Sequence, residues 1–497
     1  MEKISAELSK MCPRNPQSPF ITAINISNFR CFPENDGNDT FKISFNIPKN
    51  NKPGSGLTIL IGENNSGKST VLRAIKLFSL DDKDLDDMLA KHELNASYVD
   101  DPSKGAEIHL HTDSGEFYLK TINSDKELQW ECDGKILKEK FRCCKVFNLL
   151  EGDSPLNALL DNNSARDWSM CGCLFFSPNA PRAEKIFGSK IQYGNRRDGE
   201  DYSVEKTSCG RTIPAWQLGS GDRQFRHITN SIKDNDETSE KMNACHLFLL
   251  DEPETHLHPK AIRELIDFLW EASAKVQIIL ASHSPVLIEA VYNKAKGAYD
   301  EAEKKAMVKK TASLPIGLVF PRSNPFASLT RDPEPKYGKK PEDYFRILSK
   351  NPETGIIRAQ SAEPFLLNPV SADEINYCAF GCTRENYFVQ LYDTLQYKWA
   401  QFRGKEEIRQ EDVDKIFKEK GYPLDQKATK PGKDKPVDET IFTYQRNALA
   451  HPTNTSRTFN RNKLEYCVEE LRKLLMEANV ESSSPPQVFQ PKIEKKS

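Results

Sequence analysis

A glycine-rich loop between a short apolar run and a helical pattern constrains the fold of this chain most. Residues 57–61 are continuously apolar, the sequence GENNSGKST follows at 62–70, and the spacing from Thr70 onward is helical. Glycines let backbone N–H groups approach phosphate oxygens, and the helix N-terminus adds the positive end of its dipole. The pattern G-x-x-x-x-G-K-[ST] between a strand and a helix therefore predicts a phosphate-binding loop in an α/β fold.

The loop residues have distinct expected roles toward ATP and Mg²⁺. Lys68 can reach the β- and γ-phosphates, and the Ser69 hydroxyl can coordinate Mg²⁺. A purely structural glycine-rich turn is the alternative interpretation. The residues predicted to line the nucleotide site are Gly62, Glu63, Asn64, Asn65, Ser66, Gly67, Lys68, Ser69 and Thr70.

Two further strand ends supply candidate catalytic groups. Four apolar residues lead into Asp251-Glu252-Pro253, which places Asp251 beside the metal and Glu252 near the γ-phosphate. There Glu252 could orient or deprotonate the attacking water. The next strand ends at His283, which can hydrogen-bond the γ-phosphate. Solvated acids and a structural histidine are the alternatives, but the order and spacing after a phosphate-binding loop favour catalysis.

A second glycine motif, WQLGSGDRQ at 216–224, precedes the strand that ends at Asp251. This order of motifs resembles the ABC-type ATPases, and more narrowly the branch with the RecF, SMC and OLD proteins. NFRCF at 28–32 and DEPETHLHP at 251–259 fit that branch, and the resemblance covers about residues 20–295. It implies a homo-oligomer in which the signature residues contact the nucleotide of a second head: Gly219, Ser220 and Gly221.

Two departures from the family pattern affect the expected activity. The signature usually reads L-S-x-G, whereas Leu218-Gly-Ser-Gly221 lacks the first serine, so hydrolysis is expected to be slow or conditional. No glutamine lid loop is evident, although Gln192 is a candidate. The absence of heptads between Lys68 and Asp251 indicates a compact head without a long coiled coil.

Patterning also predicts the division of the chain. Apolar runs at 246–250 and 276–281, with a helix at 261–272 between them, predict parallel strands with a crossover. Alternating segments at 107–111 and 116–121 predict hairpins. Four segments are expected: an N-terminal segment (1–19), an ATPase head (20–295) with a β-rich or irregular insert (81–210), a mainly helical C-terminal interaction domain (296–480) containing a flexible loop (427–436), and a disordered tail (481–497).

Composition excludes several classes of protein. The 497 residues include 70 Lys+Arg and 72 Asp+Glu, so no global excess of cations favours nucleic acid. No run of about 18 apolar residues occurs, and the N-terminus lacks a signal-peptide pattern. The 12 cysteines show no zinc-site spacing. The chain is therefore expected to be cytoplasmic, without a membrane span.

The C-terminal region contains one catalytic pattern. Arg446 and His451 fit R-x-x-x-x-H, the motif of HEPN-type RNases, although the same residues could simply pack a helix. Residues 375–381 and 385–392 resemble a segment of ATPases from bacterial defence loci. No Toprim-type acidic set follows, which separates the chain from OLD and Gabija ATPases. It resembles stand-alone defence ATPases instead, first the Septu ATPase PtuA and second the PARIS ATPase AriA.

This resemblance implies an ATP-binding regulatory and scaffold subunit of an anti-phage complex. Its partner would be a separately encoded nuclease, of HNH type if the system is Septu-like, and nucleic acid would be reached through the complex. Two alternatives remain: a self-contained HEPN-like RNase toxin gated by the ATPase head, or a RecF-like DNA-repair ATPase.

Overall fold

The structure is a computed structural model. It describes residues 20–32, 42–49, 51–78, 106–113, 247–312, 339–350, 365–429, 436–450 and 459–483, with shorter segments between 115 and 229 and at 357–360. The chain forms two compact units, which divide between residues 362 and 363. None of the helices in these described ranges is long and apolar enough to cross a membrane.

The first unit is α/β. Its strands are β1 (Ile21–Ser27), β2 (Lys42–Ser44), β3 (Leu57–Ile61), β4 (Glu107–Thr112), β5 (Glu116–Ile122), β6 (Glu127–Cys132), β7 (Lys135–Leu137), β8 (Val146–Leu149), β9 (Ser189–Arg196), β10 (Gly199–Lys206), β11 (Arg211–Pro214), β12 (Leu247–Asp251), β13 (Gln277–Ser282), β14 (Phe345–Lys350) and β15 (Ile357–Gln360). Its helices are α1 (Lys68–Leu77), α2 (Pro259–Ala272) and α3 (Pro285–Ala312), and a 3₁₀ turn spans Pro341–Tyr344.

A six-stranded sheet forms the centre of this unit, in the order β15-β14-β3-β13-β12-β8. Its neighbours are parallel, except for the antiparallel pair β14 and β15. All residues of β3 and β13 are buried, as expected for parallel strands covered on both faces. The apolar runs and the crossover helix predicted from sequence are therefore confirmed.

Antiparallel sheets account for the other described strands of this unit. One has the order β2-β1-β4-β5-β6-β7, and another has the order β11-β10-β9. Glu107 on β4 pairs with Lys120 on β5, and His111 pairs with Glu116, which confirms the predicted hairpin. The described part of the insert is thus β-rich.

Helix α1 packs its apolar face into the core between the sheets. Val71, Leu72 and Ile75 are fully buried and belong to one cluster with Ile24 of β1 and Ile279 of β13. Each such aliphatic side chain contributes about 1.5–3 kcal/mol on burial. The start of α1, and the glycine-rich loop before it, is therefore anchored to both sheets.

The first unit extends beyond the domain boundary expected at residue 295. Strand β14 adds parallel to the outer edge of β3, with Ile347 opposite Ile61, and Phe345 and Leu348 are buried. An edge strand with apolar residues needs such a cover, and β14 supplies it. Within the expected helical stretch after 295, α3 continues to Ala312.

The second unit is mainly helical, as predicted. Its helices are α4 (Ala372–Phe380), α5 (Glu385–Phe402), α6 (Gln410–Glu419), α7 (Ile441–Ala450) and α8 (Leu464–Ser483), with a 3₁₀ turn at Arg461–Lys463. Phe388, Tyr392, Phe417, Phe442 and Leu471 form part of its core.

The loop expected at 427–436 is partly ordered as a ribbon. Strands β16 (Leu424–Thr429) and β17 (Pro436–Thr440) pair antiparallel, and residues 430–435 lie outside the described residues. The buried Asp414 carboxylate supports the end of this ribbon, because it accepts hydrogen bonds from the backbone N–H and hydroxyl of Thr440. This local anchoring was not visible in the proline- and lysine-rich sequence. The segment expected at 1–19 and most of the tail expected from 481 also lie outside the described residues.

Candidate nucleotide site

Sheet order brings the predicted motifs to one edge. Strand β13 lies between β3 and β12, so Ser282 is opposite Ile61 and Ala281 is opposite Asp251. The backbone N–H of Glu252 also donates to the carbonyl of Ala281 at 2.9 Å. The glycine-rich loop, Glu252 and His283 therefore all follow the carboxyl ends of neighbouring parallel strands, the usual ligand-binding edge of such a sheet.

The glycine-rich loop is closed by the lysine that follows it. The Lys68 ammonium donates to the carbonyls of Gly62 at 2.8 Å and Glu63 at 2.7 Å. Gly62 has a φ of 154°, and a Cβ at this position would lie 2.1 Å from the Leu348 carbonyl oxygen. Only glycine fits there, because β14 packs directly against the loop.

Several features of the loop fit a phosphate chain. The Ser66 hydroxyl is buried and has no hydrogen-bond partner within the described part of the chain. None of the side chains in the described part of the chain caps α1 at Gly67, so the first N–H groups of the helix remain for a ligand. An ammonium has three donors, and two of those of Lys68 are used by the loop carbonyls. The Ser69 hydroxyl and the Asp251 carboxylate are the groups that would hold Mg²⁺.

Electrostatic interactions link the loop to the segment that follows β12, residues 251–257, which we call the acidic turn. Burial lowers the pKa of Lys68, while the negative charges of Glu252, Asp251, Glu254 and Glu63 oppose that shift. Once a metal ion neutralises the surrounding carboxylates, a buried lysine among them binds phosphate oxygens strongly.

Glu252 and His283 form a hydrogen-bonded pair at the sheet edge. Glu252 Oε1 lies 2.7 Å from His283 Nδ1. The side chains are 36% and 48% exposed, so both can reach a water molecule or a ligand from solvent. Glu252 has a φ of 46°, which turns the chain sharply at the end of β12. The structure thus brings together the two predicted catalytic residues.

A second carboxylate, Glu254, was not identified from sequence as part of the site. It is 7% exposed and accepts a hydrogen bond from the Ser282 hydroxyl, and burial raises the pKa of its carboxyl group. The four-residue acidic pattern D-E-P-E was the only sequence signal that could have indicated it.

The described part of the signature segment contacts the acidic turn at Gly221 and Gln224. Gly221 is buried so close to the backbone of the turn that a Cβ would lie 2.5 Å from the His256 carbonyl oxygen. The Gln224 amide donates to the Pro253 carbonyl at 3.1 Å. Ser220 begins a helical turn and is exposed, whereas Gly219 lies outside the described residues. Gln192, the candidate for a lid glutamine, lies on β9 opposite Ser203.

The possible RNase residues are only partly described. Arg446 lies on α7, where its guanidinium is 3.5 Å from the Asp393 carboxylate and 5.9 Å from the centre of the Tyr392 ring. His451 lies outside the described residues. Packing against α5 therefore accounts for the observed position of Arg446.

Comparisons with known proteins agree with the motif positions. A family model described as "AAA ATPase domain" matches residues 20–167, which include the glycine-rich loop. A second, described as "AAA domain, putative AbiEii toxin, Type IV TA system", matches residues 160–289, which include the signature, Glu252 and His283. Together the two matches span residues 20–289, a region that is similar to ATPase domains of the AAA class. None of the curated proteins compared with the chain matches it.

Solved structures of SMC head domains are similar to this chain. They include an Smc head bound to the C-winged helix domain of ScpA (16% identity, TM-score 0.36) and the SMC head domain from Thermotoga maritima (13%, 0.34). A third is an Smc head with an extended coiled coil bound to the C-terminal domain of ScpA derived from Pyrococcus furiosus (14%, 0.37). Each match covers 55% of this chain and 92% of the other.

Proposed function

We propose that this protein binds ATP with Mg²⁺ and hydrolyses it at the edge formed by β3, β13 and β12. The observation that carries the proposal is the placement of the buried Lys68, at the start of α1, close enough to Glu252 for their charges to interact, while His283 lies 2.7 Å from the same carboxylate. A structural turn would require the glycines, but it would not require a buried lysine facing three strand-end acids.

Each residue has a specific role in this proposal. Lys68 and the first N–H groups of α1 hold the β- and γ-phosphates, and Ser69 and Asp251 hold Mg²⁺, which neutralises phosphate charge. Glu252 accepts a proton from the attacking water. His283 in its protonated form holds the Glu252 carboxylate through Nδ1 and donates from its other ring nitrogen to the γ-phosphate.

A titration with a fluorescent ATP analogue tests the assignment of the nucleotide site. Lys68→Ala should weaken binding about tenfold or more, because a charge-assisted hydrogen bond to a phosphate is worth roughly 1.5–3 kcal/mol. Lys76→Ala is the matched control, since Lys76 lies in the last turn of the same helix. Equal affinity of the Lys68 variant and the wild type would refute the site.

We further propose that the ATPase head regulates an anti-phage complex with a separately encoded nuclease, for which this chain is also the scaffold. The proposal is supported by the resemblance to stand-alone defence ATPases, and by the helical second unit, which offers a surface for a partner. Expression with its genomic neighbours should lower phage plating efficiency, and Lys68→Ala should restore it. Protection by this chain alone would contradict the need for a separate effector.

A second candidate is a self-contained RNase toxin. The second family model, whose description includes a toxin, favours this candidate, as does the pair of Arg446 and His451. Purified protein should be incubated with ATP and Mg²⁺ on total tRNA and on plasmid DNA, beside His451→Ala. Cleavage that is lost in the variant would establish the toxin, whereas no cleavage by the isolated chain would favour the regulatory subunit.

A further inference from the structure

We propose that Glu254 is a positioning residue, which holds the end of β13 so that His283 remains hydrogen-bonded to Glu252. The inference rests on the proposed ATPase function and adds a residue to its site. Glu254 is only 7% exposed, so it is too buried to act on the attacking water itself.

Two links join the acidic turn to the end of β13. The outer link is the exposed pair of Glu252 and His283, and the inner link is the hydrogen bond from the fully buried Ser282 hydroxyl to Glu254. Ser282 is the last residue of β13 and is fully buried, whereas His283 directly follows the strand and its side chain is 48% exposed. Fixing Ser282 therefore fixes the direction in which His283 leaves the strand.

The inner link also organises the backbone on both sides. The Ser282 hydroxyl accepts the N–H of Ser284 at 3.0 Å, so the residues flanking His283 are tied to the same oxygen. In the acidic turn, Thr255 N–H donates to the Glu252 carbonyl at 3.0 Å and Leu257 N–H donates to the Glu254 carbonyl at 2.9 Å. Glu252 and Glu254 thus belong to one rigid turn.

The outer pair needs this support. An exposed ion pair is worth about 0–1 kcal/mol, which is too little to keep two partly exposed side chains in one geometry. A buried hydrogen bond to a carboxyl group is stronger, and losing one partner leaves the other unsatisfied. A misplacement of about 1 Å at a catalytic group can cost about 100-fold in rate.

Steady-state ATPase assays of the full chain test the proposal. Glu254→Ala and Ser282→Ala should each lower kcat by about tenfold or more, with KM and ATP affinity within about threefold of wild type. Glu254→Gln keeps an oxygen that can accept from Ser282 and should stay within about threefold of the wild-type kcat. Glu301→Ala is the control, because Glu301 is an exposed glutamate on α3.

A spectroscopic measurement makes the test independent of turnover. The ¹⁵N chemical shifts of the His283 ring report its Nδ1 hydrogen bond; they should change in Glu254→Ala and in Ser282→Ala but not in Glu254→Gln. Ser282→Ala also serves if Glu254→Ala fails to fold, which thermal melting would reveal.

The outcomes separate this inference from the proposed function. Wild-type kcat together with unchanged His283 shifts in the alanine variants would overturn the positioning role alone. Equal loss in Glu254→Gln and Glu254→Ala would also overturn it, because charge would then matter rather than the hydrogen bond. Absence of ATP binding by the wild type would overturn the proposed function, and the His283 shifts would still decide the role of Glu254.

Discussion

At the scale of single residues, neighbouring atoms restrict both the position of the site residues and the side chains that fit there. The carbonyls of the loop hold Lys68 through hydrogen bonds, and Gly62 cannot be replaced unless the loop or β14 moves. These restrictions were partly predictable, because the loop pattern requires glycine and lysine. The contact between Gly62 and Leu348 was not, since almost three hundred residues separate the two in sequence.

Glu252→Gln should separate binding from hydrolysis. The amide cannot accept a proton from water, so turnover should fall by about 10²–10⁴-fold, the usual contribution of general-base catalysis. Binding should persist, because Lys68 and the α1 N-terminus are unchanged. Single-turnover assays with measurement of retained ATP check this. Unimpaired turnover would remove Glu252 as the base.

Gly62→Ala should destabilise the first unit and abolish ATP binding. The new Cβ would lie 2.1 Å from the Leu348 carbonyl oxygen, so either the loop or β14 must move. The expected loss of stability is about 1–3 kcal/mol, as for other overpacked sites. Gly297→Ala is the control. Gly297 lies in α3, and a Cβ added there would meet no atom within 4 Å, so alanine should raise stability by about 0.5–1 kcal/mol. Thermal melting and ATP titration of both variants provide the comparison.

At the scale of secondary structure elements, local patterning was enough for the buried strands. The apolar runs of β3, β12 and β13 and the helical spacing of α2 are visible in short windows of sequence. Strand β14 has a similar pattern, FRILSK, but it follows a proline-rich segment and pairs with a strand far upstream. A long-range pairing of this kind leaves no local signal in the sequence. The boundary predicted at residue 295 therefore falls before the end of the first unit.

A buried glutamate at the contact between α4 and α8 should make the stability of the protein depend on pH. Glu374 of α4 is fully buried beside Arg472 of α8, with 3.6 Å between their charged groups, and burial raises the pKa of Glu374 to about 7. Between its ordinary value of 4.5 and about 7, the folded state keeps a proton that the unfolded state has released. Stability should therefore fall as pH rises through this interval.

A comparison of melting temperatures isolates this contribution. Glu374→Gln cannot ionise, so its melting temperature relative to wild type should rise between pH 5 and pH 8. Groups other than Glu374 titrate equally in both proteins and cancel in the difference. A difference that is constant with pH would mean that Glu374 is charged throughout.

At the scale of the whole molecule, the exposed signature serine suggests how two copies would meet. Ser220 faces solvent at the start of a helical turn, while Gly221 behind it is packed on the acidic turn. If a second copy presents its nucleotide to Ser220, the contact is the same in both directions and closes a dimer.

Light scattering with Glu252→Gln should therefore show an ATP-dependent doubling of mass. Adding Ser220→Arg should abolish that doubling by placing a bulky side chain at the contact, and it should leave ATP affinity of the monomer within about threefold, since the loop is untouched. A monomer at all ATP concentrations would contradict the ATP-bridged dimer.

The position of β14 has a consequence for synthesis on the ribosome. The glycine-rich loop emerges early, yet the strand whose Leu348 carbonyl lies against Gly62 emerges almost three hundred residues later. A nascent chain that ends after α3 would expose the apolar edge of β3, and its nucleotide loop would lack one wall. ATP could therefore bind in its final geometry only after β14 has been translated, and until then the edge of β3 would be open to pairing with other strands.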